Sequence, residues 1–181
     1  MKTKSLTDAE LLVLGLVAEM PRHGYELEQV IEERGMREWT QIGFSSIYFV
    51  LGKLKKMRLV TAKRPAGGNT RRTYSVTDMG RGALVVQTLA ALRNIRPSHS
   101  SVLLGMLHWP ALQRSEALEA LQTRGETIKK ELERLGNIQV DRQPLPDFVE
   151  ALFNFSVGQL RAESEWTART LDYMTCKPWD T

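Results

Sequence analysis

Between Lys53 and Arg72 the chain carries eight basic residues, Lys53, Lys55, Lys56, Arg58, Lys63, Arg64, Arg71 and Arg72, and no acidic one. A one-signed cluster of ammonium and guanidinium groups is suited to holding a polyanion, and a nucleic-acid duplex is the first such partner to consider. Other chemistry-bearing residue types are sparse. His23, His99 and His108 are scattered, and none sits in an HExxH, HxH or triad-like context. The single cysteine, Cys176, excludes an internal disulfide and a cysteine-based zinc cage. Gly67-Gly68 lacks the Lys-Ser/Thr that follows a phosphate-cradling loop. No enzymatic activity and no cofactor is expected.

The basic residues are carried by a helix and a hairpin. Phe44, Ile47, Leu51, Leu54 and Met57 recur at helical spacing and form a buried stripe. The opposite face presents Ser45, Tyr48, Phe49, Gly52, Lys53 and Lys56, one ridge suited to a major groove. Ser45 and Ser46, at the helix start, can cap free N–H groups or bond a phosphate. Tyr48 can donate to a phosphate, and Lys53 and Lys56 supply charge or base contacts. Phe49 is unusual on a solvated face; it either touches a thymine methyl group or packs against the hairpin. The strands, Leu59 to Lys63 and Thr73 to Val76, are joined around Pro65-Ala66-Gly67-Gly68-Asn69. Arg64, Arg71 and Arg72 flank that tip, placed to clamp phosphates or enter a minor groove.

Two helices precede this pair. Thr7-Asp8-Ala9-Glu10 reads as a capping box that opens a mostly apolar helix ending near Met20-Pro21. Gly24 opens the second, with Leu27, Val30 and Ile31 buried and Glu26, Glu28, Glu32 and Glu33 making the other side acidic; Gly35 stops it. Trp39 and Ile42 anchor the connector to the third helix. Helix, helix, helix, hairpin is the order of a winged helix-turn-helix.

The remainder reads as all helix. Thr77-Asp78 caps a fourth helix to about Ile95, and a short one spans Ser98 to Trp109. From Arg114 to Gly136, Leu118, Leu121, Ile128, Leu132 and Leu135 form a heptad seam with Gly125 in one slot, the pattern of a helix packed along a partner helix. After a polar break from Gln139 to Pro146, a last helix runs from about Leu145 to Met174. Phe148, Leu152 and Phe155 form one apolar line on it, and Val149, Phe153, Val157 and Leu160 a second. So broad an apolar face fits a helix sandwiched between its own domain and another subunit. Trp109, Trp166, Phe153 and Phe155 are more readily core or interface than ligand contacts; Trp166, then Trp109, are the candidates for a small aromatic ligand.

Charge divides the 181 residues unevenly. Through Gly80 there are thirteen Lys/Arg and nine Asp/Glu, a surplus of four, and from Arg81 onward twelve of each. The basic half is thus the polyanion-facing one and the neutral half has another task. No apolar run approaches the roughly 18 to 20 residues that span a bilayer, and Asp8 and Glu10 interrupt the signal-like N-terminus, so no membrane association and a cytoplasmic location are expected.

Several short blocks, in order, resemble the PadR family of bacterial transcriptional regulators, the phenolic-acid-responsive repressor type. They are the first helix around Leu11–Leu16, His23-Gly24-Tyr25-Glu26-Leu27 at the second, Ser46-Ile47-Tyr48 with Leu51 and Leu54 in the third, and Arg72-Thr73-Tyr74-Ser75-Val76-Thr77 with Gly80 at the hairpin exit. Two positions depart from the family pattern: Phe49 stands where proline is usual, and Arg58 where glycine precedes the first wing strand. The resemblance implies a homodimer held by C-terminal helices, with two reading units on a palindromic double-stranded DNA operator. It also implies repression relieved by a small molecule, some relatives binding flat aromatic compounds between subunits. Paired recognition helices of this class read half-sites about 34–36 Å apart.

The expected fold is therefore mainly α: a winged helix-turn-helix DNA-binding domain with a two-stranded wing over residues 1–80, then an all-helical dimerisation and effector domain over 81–181. The competing reading is a winged-helix protein–protein interaction module that does not bind DNA.

Overall fold

The computed structural model describes residues 5–38, 40, 43–63, 72–95 and 100–177. The chain divides into two compact units, Met1–Pro97 and Ser98–Thr181. Each is described by itself.

In the first unit, α1 (Asp8–Glu19) opens with the expected capping box: Thr7 Oγ1 accepts from Glu10 N at 3.3 Å and Glu10 Oε2 accepts from Thr7 N at 2.8 Å. After Pro21 the chain pairs over two residues as β1 (Arg22–His23) and turns into α2 (Gly24–Glu33). A short 3-10 turn, Met36–Glu38, leads towards α3 (Phe44–Lys56), and β2 (Val60–Lys63) and β3 (Thr73–Val76) form the wing. The sheet has three strands in the order β1-β3-β2, both pairings antiparallel, with Ala62 and Arg22 facing Tyr74 from either side. The third strand, absent from the two-stranded reading, is only two residues long and leaves no alternation in sequence.

Leu14, Leu27, Ile31, Ile47, Leu51 and Leu54 are completely enclosed where α1 and α2 meet α3. Each such side chain contributes about 1.5–3 kcal/mol on leaving water. Val50 joins them, which the stripe drawn from Phe44 does not include.

The exit of α3 is a Schellman turn: Leu59 N donates to Leu54 O at 2.9 Å and Arg58 N to Lys55 O at 3.0 Å. That turn requires a left-handed residue, and Arg58 supplies it with φ 60° where glycine would be unstrained. Helix α4 (Asp78–Arg93) starts from the wing without a linker. Thr77 Oγ1 accepts from Gly80 N at 2.9 Å and shares its proton between Arg58 O and Leu59 O, at 2.8 and 3.1 Å. The helix then packs on α1, with Gln87 Oε1 accepting from Leu6 N, so the first unit runs past residue 80 and takes α4 in.

In the second unit, α5 (Ser101–Leu107) and a 3-10 turn at Trp109–Ala111 lead into α6 (Arg114–Asp141), which lies against α7 (Asp147–Cys176). The α6 seam buries Ala117, Leu121, Ile128 and Leu135, with Leu118 and Leu132 half-buried at its side. Of the two apolar lines on α7, one is enclosed at Phe153 and half-buried at Val149, Val157 and Leu160. The other is uncovered, Phe148 being 71 % and Phe155 68 % exposed. Among the described residues no helix is long and apolar enough to cross a membrane.

Candidate nucleic-acid interface

The inner face of α3 is fixed by Ile47, Val50, Leu51 and Leu54, so Tyr48, Phe49, Gly52, Lys53 and Lys56 turn outward as one ridge. Tyr48 is 55 % and Phe49 66 % exposed. Phe49 is therefore not packed away beneath the described strands of the wing. Arg72 is exposed at the start of β3, and Lys55 and Lys63 extend the basic surface. Arg64, Arg71 and the Gly67-Gly68 tip, like Trp39, Ile42 and His99, lie outside the described residues, as does the side chain of Ser45.

Two candidates have partners within the protein. The Ser46 hydroxyl donates to Gly43 O across the first turn of α3, a local capping role. Lys53 Nζ lies 3.1 Å from Glu10 Oε1 and 5.2 Å from the centre of the Phe49 ring. Burial alone raises the Glu10 carboxyl, but the hydrogen bond from Thr7 N and the neighbouring Lys53 outweigh it and hold the group below its ordinary 4.5.

Glycine sets the position of Tyr48. A Cβ at Gly24 would stand 2.5 Å from Tyr48 Cε1, so the ring lies directly on the backbone at the start of α2. His23, one residue earlier, has Nδ1 3.3 Å from Thr73 Oγ1 and joins β1 to β3. The His-Gly-Tyr block thus connects α2, the ridge and the wing. At the opposite edge of α2, Glu19 accepts from Arg34 at 2.7 Å and from Arg22 at 3.1 Å. The Arg34 hydrogen bond is the chief cause of its lowered carboxyl pKa.

Described residues of the second unit line a pair of neighbouring clefts that share Arg124. One, about 210 Å³, is lined by Val102, Met106, Trp109, Leu112, Leu121 and Arg124 among others. The other, about 400 Å³, lies along α6 between Ala120 and Glu131 and also touches Arg124. Arg124 bonds Glu163 through Nη2, while its Nε is buried without a hydrogen-bond partner. Trp166 is half-buried on α7 and lines neither cleft. Among the described residues no group of three His, Cys, Asp or Glu side chains is placed to hold a metal ion.

Residues 13–86 match the Transcriptional regulator PadR-like family. Three crystal structures share the fold over 91–94% of this chain. Bacillus subtilis PadR in complex with operator DNA has a TM-score of 0.71 at 20% identity, covering 91% of this chain and 98% of that one. The same protein in complex with p-coumaric acid has 0.72 at 22%, covering 92% and 98%. The PadR-like regulator BC1756 from Bacillus cereus has 0.66 at 16%, covering 94% and 100%. No curated protein matches the chain.

Proposed function

We propose, from the match of residues 13–86 to the Transcriptional regulator PadR-like family, that the chain is a DNA-binding transcriptional regulator of that kind: a cytoplasmic, homodimeric repressor, without enzymatic activity, that reads a palindromic operator. The observation that carries the reading is the ridge on α3. Two aromatic side chains, Tyr48 and Phe49, stand more than half exposed there on the same helix face as Lys56. Keeping apolar rings in water is costly, and a partner with both phosphates and apolar base edges recovers that cost. A protein–protein module would not need the basic residues around the rings. Arg64, Arg71 and Ser45 belong to the same DNA face in this reading.

The second copy has a place to dock. Phe148, Leu152 and Phe155 project from α7 at successive turns and stay exposed among the described residues, Phe148 and Phe155 the most. The effector site is the Trp109–Arg124 cleft. An aromatic acid there would lie on Trp109 and the apolar wall with its carboxylate towards the Arg124 guanidinium, in keeping with the p-coumaric acid in the complex of the similar Bacillus subtilis protein. This gives Trp109 the contact and leaves Trp166 a helix-packing role.

Fluorescence-anisotropy titration of the upstream DNA and a scrambled duplex, across a salt series, tests the reading. Preference for the upstream DNA together with affinity that falls steeply with salt supports it. Equal affinity for both duplexes, or binding indifferent to salt, sinks it. Sedimentation of a Phe148→Glu, Phe155→Glu variant checks the dimer; a variant that stays dimeric moves the interface elsewhere.

A further inference from the structure

Lys53 stands in the middle of the presented ridge, yet its ammonium is engaged inside the protein. The side chain of its partner, Glu10, is 7 % exposed, whereas that of Lys53 is 46 % exposed. The asymmetry decides where the lysine goes. A carboxylate so enclosed is strongly destabilised if its counter-ion leaves, while a phosphate at the surface offers the lysine only a screened attraction in exchange. Glu10 is also held from behind, because its other oxygen accepts from Thr7 N and its backbone is locked in the capping box. The ammonium in turn sits by the Phe49 ring, 5.2 Å from its centre, within the range of cation–π attraction.

Resting on the DNA reading above, we propose that Glu10 is a positioning residue for the reading surface: it withholds Lys53 from the phosphates and, through the lysine ammonium, fixes the orientation in which Phe49 meets the groove. The start of the first helix thereby shapes sequence preference on the third without touching DNA.

The test uses the full-length protein in anisotropy titrations on a random duplex and on the upstream DNA, from low to physiological salt. Each lysine newly placed on a phosphate steepens the slope of log affinity against log salt by about 0.9. Glu10→Gln keeps an amide oxygen for Thr7 N and releases Lys53. It is expected to steepen the random-duplex slope by about 0.9 per protomer, raise random-duplex affinity and narrow the preference for the upstream DNA. Lys53→Met is expected to leave the slope at its wild-type value while also narrowing the preference. The double variant should return the steepened slope to the wild-type value. A merely structural role for Glu10 would weaken all binding without moving the slope.

A slope that becomes shallower in Lys53→Met shows a wild-type phosphate contact and overturns the inference. So does an unchanged slope in a folded Glu10→Gln variant. If Glu10→Gln does not fold, the Lys53→Met slope decides alone. Wild-type protein with no salt-dependent duplex binding instead defeats the DNA reading itself.

Discussion

Gly80→Ala should destabilise the first unit severely, although the change adds one methyl group to a helix, where alanine is ordinarily preferred. The added Cβ would lie 2.1 Å from the carbonyl oxygen of Leu59 and 2.9 Å from Val76 Cγ2. The first of these is backbone and cannot rotate aside, so the strand exit and the helix start must separate by about an ångström. Leu59 O accepts from Thr77 N at 3.0 Å and from Thr77 Oγ1 at 3.1 Å, and Thr77 Oγ1 caps Gly80 N at 2.9 Å. Separation strains all three bonds. With about 1 kcal/mol for each backbone-type bond and about 1 kcal/mol for the cap, the loss is about 3 kcal/mol. For a unit of this size 1 kcal/mol moves Tm by about 4–8 °C, so the melting point should fall by about 12–24 °C. Circular dichroism at 222 nm along a thermal ramp measures it, with Gly82→Ala as control. A Cβ at Gly82 meets nothing within 4 Å, so that variant should gain about 0.5–1 kcal/mol from helix propensity alone. Equal melting points for the two variants would refute the close-approach argument.

Arg58→Gly relieves a left-handed residue at a cost of added chain entropy. The balance is a gain of about 0.5–1 kcal/mol in chemical denaturation, and a loss would show that the arginine side chain stabilises the turn. Gly24→Ala should displace the exposed Tyr48 ring with little effect on Tm, so DNA affinity should drop several-fold; unchanged affinity in anisotropy would remove Tyr48 from the interface. The lowered pKa values of Glu10, Glu19 and Glu131 predict acid lability. Their unfolded forms take up protons first, near the ordinary 4.5, so the contribution is complete above that pH and disappears as pH falls through the lower folded values. Tm measured from pH 7 downward should stay level and then decline below about 4.5, and a steady decline beginning above pH 6 would contradict this assignment.

Much of the first unit was legible because its signals are local. Thr7 with Glu10, and Thr77 directly before Asp78, announce helix starts within a single turn. Val60–Lys63 and Thr73–Val76 have strand composition of their own. The third strand was not legible, since Arg22 and His23 become a strand only by lying beside Tyr74 and Thr73. The ridge on α3 could be drawn from helical spacing, but the pairing of Lys53 with Glu10 depends on the packing of α1 on α3 and has no sequence signature. On α7 the width of the apolar face signalled two contacts. Only the fold shows that the Phe153 line meets α6 and the Phe148 line is left uncovered. The polar, proline-containing break expected from Gln139 begins later, because nothing before Pro144 interrupts the hydrogen bonds of α6, which continues to Asp141.

Strand β3 is bonded along both edges, to β1 beside α2 and to β2 of the wing, and it passes through Thr77 straight into α4. Such a strand behaves as a beam clamped on two sides and driven from one end. A tilt of α4 cannot be absorbed by a hinge, because Gly80 is locked against Leu59 and no flexible residue intervenes. It must be delivered along β3 as a rotation of the wing, and through His23 and Thr73 as a shift at the start of α2. The same beam carries load in reverse, so a duplex seated on the wing would press back on α4.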